Sequence, residues 1–275
     1  VVPNTDDFRT EGGALSVSSE TMKWLLNYEL LPSLARKVIE AILDYDRLTK
    51  LRSAFVDNLL TLSSRDGKVH TEFLQAGTVT GRLSSKKPNL MQIPKTMRPF
   101  FVAPEGYSFV EGDLSAIEIR VWAQLSQDPV LINALETQPD FHRWVMGRIL
   151  NKPAEEVTEA ERAESKVVSF GGVLYGGGAH TISKQARLSY KAATDLLKEF
   201  QDLFHVGSFW IEQVKEFCRK NGYVETMFGR RRRLPNINNP EGGLRAEAER
   251  QAVNTCVQGT AADINNLAGL RVEKA

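Results

Sequence analysis

Apolar positions in the first quarter of the chain recur at helical rather than strand spacing. Leu31, Leu34, Val38, Ala41, Ile42, Tyr45, Leu48 and Leu51 keep the three-and-four rhythm of one helix face, so residues 18–60 are predicted to form two or more amphipathic helices. The rhythm then changes. Val69-His70-Thr71-Glu72-Phe73 is predicted to be a strand, polar turn residues follow, and Tyr107 to Asp113 is predicted to be a buried strand ending on a carboxylate. Helical spacing returns from Ile117 to Leu150. Pro153 followed by Thr158-Glu159-Ala160-Glu161 marks a helix start, and that helix runs towards Tyr175. Further helices fill 181–220, Gly222 to Thr226 is a short strand leading into Arg230 to Arg233, and a final helix spans 244–272. The expectation is an α/β (α+β) fold, rich in helix, with a small sheet.

Composition narrows the class. With 275 residues, 42% hydrophobic and 25% charged, the chain can bury a core as one large or two ordinary domains, and disordered, collagen-like, coiled-coil and disulfide-scaffold classes are excluded. No run nears the ~20 apolar residues of a spanning helix, and Val1-Val2-Pro3-Asn4 lacks the layout of a signal peptide. An intracellular protein with no membrane partner is therefore expected, in cytoplasm or nucleoid, or in a host cytoplasm if the source is viral. Cys218 and Cys256 have neither zinc nor redox spacing and are expected to be reduced thiols. The absent initiator Met, and a last segment that reads as mid-helix, lead to the expectation that the chain is cut from something longer.

Lys+Arg 35 and Asp+Glu 34 nearly cancel, so only local charge is informative. Arg230 to Arg233, beside Lys215, Arg219 and Lys220, make a basic surface that suits a phosphate backbone, though a solvated charge run looks the same. Asp113 could hold Mg²⁺ at the end of its strand or cap the helix beginning at Ser115. Arg162, Lys166 and Phe170 share a helix face, which suits a nucleoside triphosphate or a solvated helix with Phe170 in the core. Gly171 to Gly178 permit close approach, but no Gly-Lys-Ser/Thr follows and the segment is no P-loop. Arg250, Asn254 and Gln258 fall four apart amid Ala248, Ala252, Ala261 and Ala262, a slim polar stripe that suits minor-groove acceptors or plain solvent.

Taken together and in order, these segments resemble the family A, DNA polymerase I-like, DNA polymerases. The resemblance runs through Leu48-Thr49-Lys50-Leu51, then Thr80-Gly81-Arg82-Leu83-Ser84-Ser85 with Pro88-Asn89-Leu90 and Ile93-Pro94. It continues through motif A at Asp113 to Arg120, Asp140-Phe141-His142, motif B at Arg162 to Gly176, Gly222 to Thr226, Phe228 to Arg232, and Arg250 to Asp263.

The resemblance implies a right-hand fold. Residues 1–60 would be a partial thumb, 61–125 the first part of a palm with motif A, 126–240 the fingers with motif B, and 241–275 a return to the palm. It also implies template-directed addition of dNTPs to a primer 3′ end, with primer-template DNA as partner and two Mg²⁺ ions. Asp113 would ligate both ions with help from the Leu114 carbonyl, and Glu118 would close the sugar pocket against a 2′-hydroxyl. His142, Arg162 and Lys166 would hold the triphosphate, Phe170 would face the incoming nucleotide, and Tyr175 would stack at the template position. Lys50, Arg82, Asn89, Arg230, Arg250, Asn254 and Gln258 would contact DNA.

Departures of four kinds stand out, in helix spacing, in two substituted residues, in a short stretch and in a missing motif. Phe170 and Tyr175 are five apart where the family has four, because of an extra glycine in Gly171-Gly172. In an ideal α-helix that turns Tyr175 by about 100° unless a bulge absorbs it. Ala116 replaces a Gln, Met91 replaces a polar residue, and the stretch after Pro94 is short. No His-Asp pair supplies the family's second catalytic carboxylate, so the chain alone is expected to be incomplete, a cropped fragment or a split subunit whose partner polypeptide carries that motif. The alternatives are a catalytically inactive DNA-binding or structural subunit and a single-subunit RNA polymerase. Glu118 speaks against the latter.

Overall fold

The structure is a computed structural model that describes residue 13 and residues 17–26, 30–186 and 188–273. The chain divides into two units, residues 1–73 with 85–102, and 74–84 with 103–275. In the first, α1 (Ser19–Leu26) precedes α2 (Ser33–Leu51), which passes through a π-helical turn at Arg52–Val56 into α3 (Asp57–Ser63). The predicted apolar stripe does lie on α2, but it is not buried: Leu34 is 73% and Tyr45 70% exposed. An apolar helix face is buried only where a second layer lies on it, and among the described residues none covers this one.

The strand predicted at 69–73 starts later, as β1 (Glu72–Leu74), paired with β2 (Ser84–Lys86). Asp66 explains the delay. Its carboxylate accepts from the Lys68 backbone N–H at 3.0 Å and contacts the His70 ring at 2.8 Å, a local turn that competes with strand pairing.

The second unit holds the main core and nine helices among the described residues: α4 (Ile117–Ser126), α5 (Pro129–Thr137), α6 (Phe141–Leu150), α7 (Glu159–Lys166), α8 (Gly178–Ala186), α9 (Tyr190–Leu203), α10 (His205–Asn221), α11 (Gly242–Asn254) and α12 (Thr260–Glu273). A π segment, Val167–Leu174, prolongs α7, and another, Thr255–Gly259, joins α11 to α12. Trp122 of α4 anchors the core, stacked on Phe200 at 6.2 Å and edge-on to Phe204 at 6.0 Å. Its indole N–H donates to the Gly207 carbonyl, and a Cβ on Gly207 would lie 2.5 Å from the Trp122 ring, so only glycine fits. Asp128 is fully buried yet satisfied, accepting from the Val130, Leu131 and Gly207 backbone N–H groups.

The arginine run is part strand. β3 (Tyr223–Glu225) and β4 (Arg231–Arg233) pair antiparallel, with Tyr223 opposite Arg233, Val224 opposite Arg232 and Glu225 opposite Arg231. By contrast, the strand predicted at 107–113 does not form. Tyr107, Phe109 and Val110 are 76%, 72% and 95% exposed, and among the described residues no strand takes up their backbone N–H and C=O groups. Asp113 is thus neither buried nor at a strand end. Nor does it cap a helix, because α4 starts from a left-handed Ala116 without a side-chain cap. Both cysteines are buried free thiols, and burial pushes Cys218 up to about 11 and Cys256 up to about 12. Among the described residues no helix is long and apolar enough to cross a membrane.

Candidate active site

The corner between α6 and α7 is fixed by its caps. Asp140 starts α6 by accepting from the Arg143 backbone N–H at 3.0 Å, and its other oxygen accepts from Arg162 Nε at 2.6 Å. Burial opposes the Asp140 charge, but those two donors outweigh it and hold the carboxyl below its usual range. Thr158 and Glu161 form a capping box at the start of α7, and Lys152 grips both Glu161 oxygens at 2.8 Å. With α7 so anchored, Arg162 and Lys166 share one face, as the sequence predicts. His142 lies behind them with its Nδ1 3.1 Å from the Ser165 hydroxyl. Burial first, then Lys166 and Arg162, push its pKa down to about 4 against the pull of Asp140, so the ring is neutral at pH 7.

The extra glycine is absorbed by the π segment. Tyr175 N–H reaches the Phe170 carbonyl five residues back at 2.8 Å, a wider turn that takes in the added residue without rotating the chain beyond it. The Phe170 ring lies 6.1 Å from His142 and 6.2 Å from Tyr175. Tyr175 donates to Glu118 Oε2 at 2.7 Å, while Arg82 donates to Glu118 Oε1. Burial and the bond to Glu118 raise the Tyr175 pKa, opposed by a hydrogen bond with Gln258. Gly176, at φ +64°, lets the Arg250 stem approach, since a Cβ there would lie 2.6 Å from Arg250 Cγ.

Other candidates are placed differently. Asp113 and Leu114 lie on the exposed stretch before α4, and the Leu114 carbonyl accepts from the Ile117 N–H at 3.2 Å. Among the described residues no group of three or more His, Cys, Asp or Glu could hold a metal ion. Gln258 lies in the π turn at 255–259, and Asn254 Oδ1 is buried without a hydrogen-bond partner among the described residues. The arginine run is largely engaged within the unit. Arg230 donates to Asp263, the Thr80 carbonyl and the Gly259 carbonyl, Arg231 to Glu225, and Arg232 to Thr255 and Gln251. Lys50 is an exposed side chain of the first unit, where Asn89 Oδ1 accepts from the Met91 N–H and the Ser85 hydroxyl.

Sequence reasoning gave no role to Asp140, Ser165 or Asp263. Asp140 stands three residues before Arg143 in N-cap position, a legible signal; a helix-interior serine and an aspartate thirty-three residues from Arg230 give none.

The family model described as DNA polymerase family A matches residues 9–275, and the chain belongs to that family. It is 40% identical over 268 residues to the thermostable DNA polymerase I of Thermus thermophilus, covering 94% of this chain and 32% of that protein. It is 36% identical over 263 residues to DNA polymerase I of Treponema pallidum, covering 93% of this chain and 26% of that protein. The chain thus spans about a third or less of these curated relatives' length. Among solved structures it is similar to the POL domain of Pol1 from M. smegmatis in complex with DNA primer-template and dNTP, with TM-score 0.80, 33% identity, and coverage of 99% of this chain and 47% of that one. The mostly helical architecture with small antiparallel sheets is that of the polymerase fold.

Proposed function

We propose that this segment supplies the nucleotide-binding face, part of the primer-template grip and one catalytic carboxylate of a template-directed DNA polymerase. One observation carries the reading: side chains from separate elements form a continuous run, with Asp140 on Arg162, His142 beside Phe170, Phe170 beside Tyr175, and Tyr175 and Arg82 on Glu118. Arg162 and Lys166 would meet the triphosphate, with neutral His142 as a further contact and Phe170 facing the nucleotide. Glu118, held at both oxygens, would lie against the sugar and exclude a 2′-hydroxyl, which favours dNTPs. Tyr175 would stack at the template position. Lys50, Arg82, Asn89, Arg250, Asn254 and Gln258 would hold primer and template, and Arg230 would act through its ties to Thr80 and Gly259.

Mg²⁺ keeps waters and substrate phosphates beside one or two carboxylates, and exposed Asp113 with the Leu114 carbonyl fits one such partial set. The chemistry Mg²⁺ supplies when bound is neutralisation of phosphate charge and activation of the primer 3′-oxygen.

Primer extension by the full-length protein with Mg²⁺ and dNTPs tests the reading. Asp113→Ala is expected to abolish extension and to leave primer-template binding intact. Extension that survives the substitution removes Asp113 from the chemistry. A wild-type protein that binds primer-template and dNTP but never extends is a binding subunit instead.

A further inference from the structure

Ser165 is fully buried in the interior of α7, and its hydroxyl lies 3.1 Å from His142 Nδ1. Its own carbonyl is taken by the Ser169 hydroxyl at 2.7 Å. Among the described residues the contact with Nδ1 is the one hydrogen bond this hydroxyl makes, which decides its direction. Were Nδ1 to carry the proton and donate, the serine O–H would be left in a dry site with no acceptor, and an orphaned buried donor costs more than an unused lone pair. If the serine donates instead, Nδ1 is the acceptor and the ring proton resides on Nε2.

A doubly protonated ring would again leave the serine O–H without its acceptor. It would also set a positive charge beside Arg162 and Lys166, with Asp140 the one anion opposing them. Phe141, 5.3 Å away, and Phe170, 6.1 Å away, confine the imidazole, so the tautomer fixes what the ring offers.

We propose that Ser165 is a positioning residue that sets His142 in its neutral Nε2–H tautomer, so that the ring offers the nucleotide's phosphate a hydrogen-bond donor and neither an acceptor nor a charge. The phosphate half of this inference rests on the function proposed above; the tautomer half does not.

The two halves separate in one experiment on full-length protein labelled with ¹⁵N-histidine. Long-range ¹H–¹⁵N spectra at pH 7, assigned with His142→Gln, are expected to show a pyridine-type Nδ1 and a protonated Nε2 for His142. Ser165→Ala is expected to shift that ring towards a mixture of tautomers. It should also raise the dNTP KM by about three- to tenfold, the worth of one misplaced hydrogen bond, with primer-template affinity unchanged. His142→Gln, whose amide nitrogen can replace Nε2–H, should keep a lower dNTP KM than His142→Asn, whose shorter amide replaces Nδ1. A wild-type ring protonated at Nδ1 or at both nitrogens overturns the proposal, as does a Ser165→Ala protein with an unchanged tautomer. The expected tautomer shift with an unchanged dNTP KM overturns the phosphate half and leaves Ser165 as the residue that sets the ring.

Discussion

Residues 107–114 and the α6–α7 corner both carry side chains proposed to meet the same ligand, yet they are held by opposite means. At the corner, Asp140, His142, Ser165, Arg162 and Lys166 sit on capped helices over a buried core, and most are tied to one another. Around Asp113 the chain forms neither helix nor strand, the apolar side chains of Tyr107, Phe109 and Val110 face solvent, and no strand pairs with it among the described residues. The groups proposed to face the nucleotide are therefore pre-organised by the unit's own packing, whereas Asp113 owes nothing to it. Substitutions at the corner should change stability and function together; substitutions near Asp113 should divide them.

The largest expected effect exploits pH. The folded His142 pKa is about 4 against an ordinary value of 6.5, so between those values the unfolded chain binds more protons than the folded one. Stability is then full above 6.5 and falls as pH drops towards 4, by up to about 3 kcal/mol. Asp140, whose carboxyl is held below its usual range, loses its contribution only at lower pH. Urea unfolding at pH 7 and pH 4.5 should show the decline in wild type and a shallower one in His142→Gln. Equal declines would mean the corner does not hold the ring neutral.

Next in size is Gly207→Ala. The new methyl would meet the Trp122 ring that the α4 core is built around, and overpacking of this kind costs about 1–3 kcal/mol. A thermal melt reads it. Tyr175→Phe is smaller, removing one hydrogen bond to buried Glu118 for about 1 kcal/mol. No loss at all would show that the π segment fails to bring Tyr175 onto Glu118 in solution.

The range of the forces involved decides how much of the fold and the site was legible in the sequence. Thr158 with Glu161 announced the start of α7 because a capping box is local, and Arg162, Lys166 and Phe170 could be placed on one face by spacing alone. The π segment was legible as a question, since five residues between two rings demand either a rotation or a wider turn; only the surrounding contacts decide for the turn. The partners of the Arg230 run were illegible because charge in a sequence is anonymous. Its guanidinium ties to Asp263 and Thr80 join residues 33 and 150 apart in the chain, beyond the reach of any local pattern. The strand predicted at 107–113 failed for the opposite reason, as alternation supplies one face but not the neighbouring strand that its backbone requires.

The smallest expected effect is the sharpest test of the comparison. Asp113 is exposed and lies outside every helix and strand, so Asp113→Ala removes no packing and no buried hydrogen bond. Its stability should match wild type within about 0.5 kcal/mol, as for other surface changes away from special features. Extension, in contrast, should be lost. A melting temperature that falls along with activity would mean that Asp113 is bound into the fold of the whole protein, and the division between a pre-organised corner and an unsupported carboxylate would then dissolve.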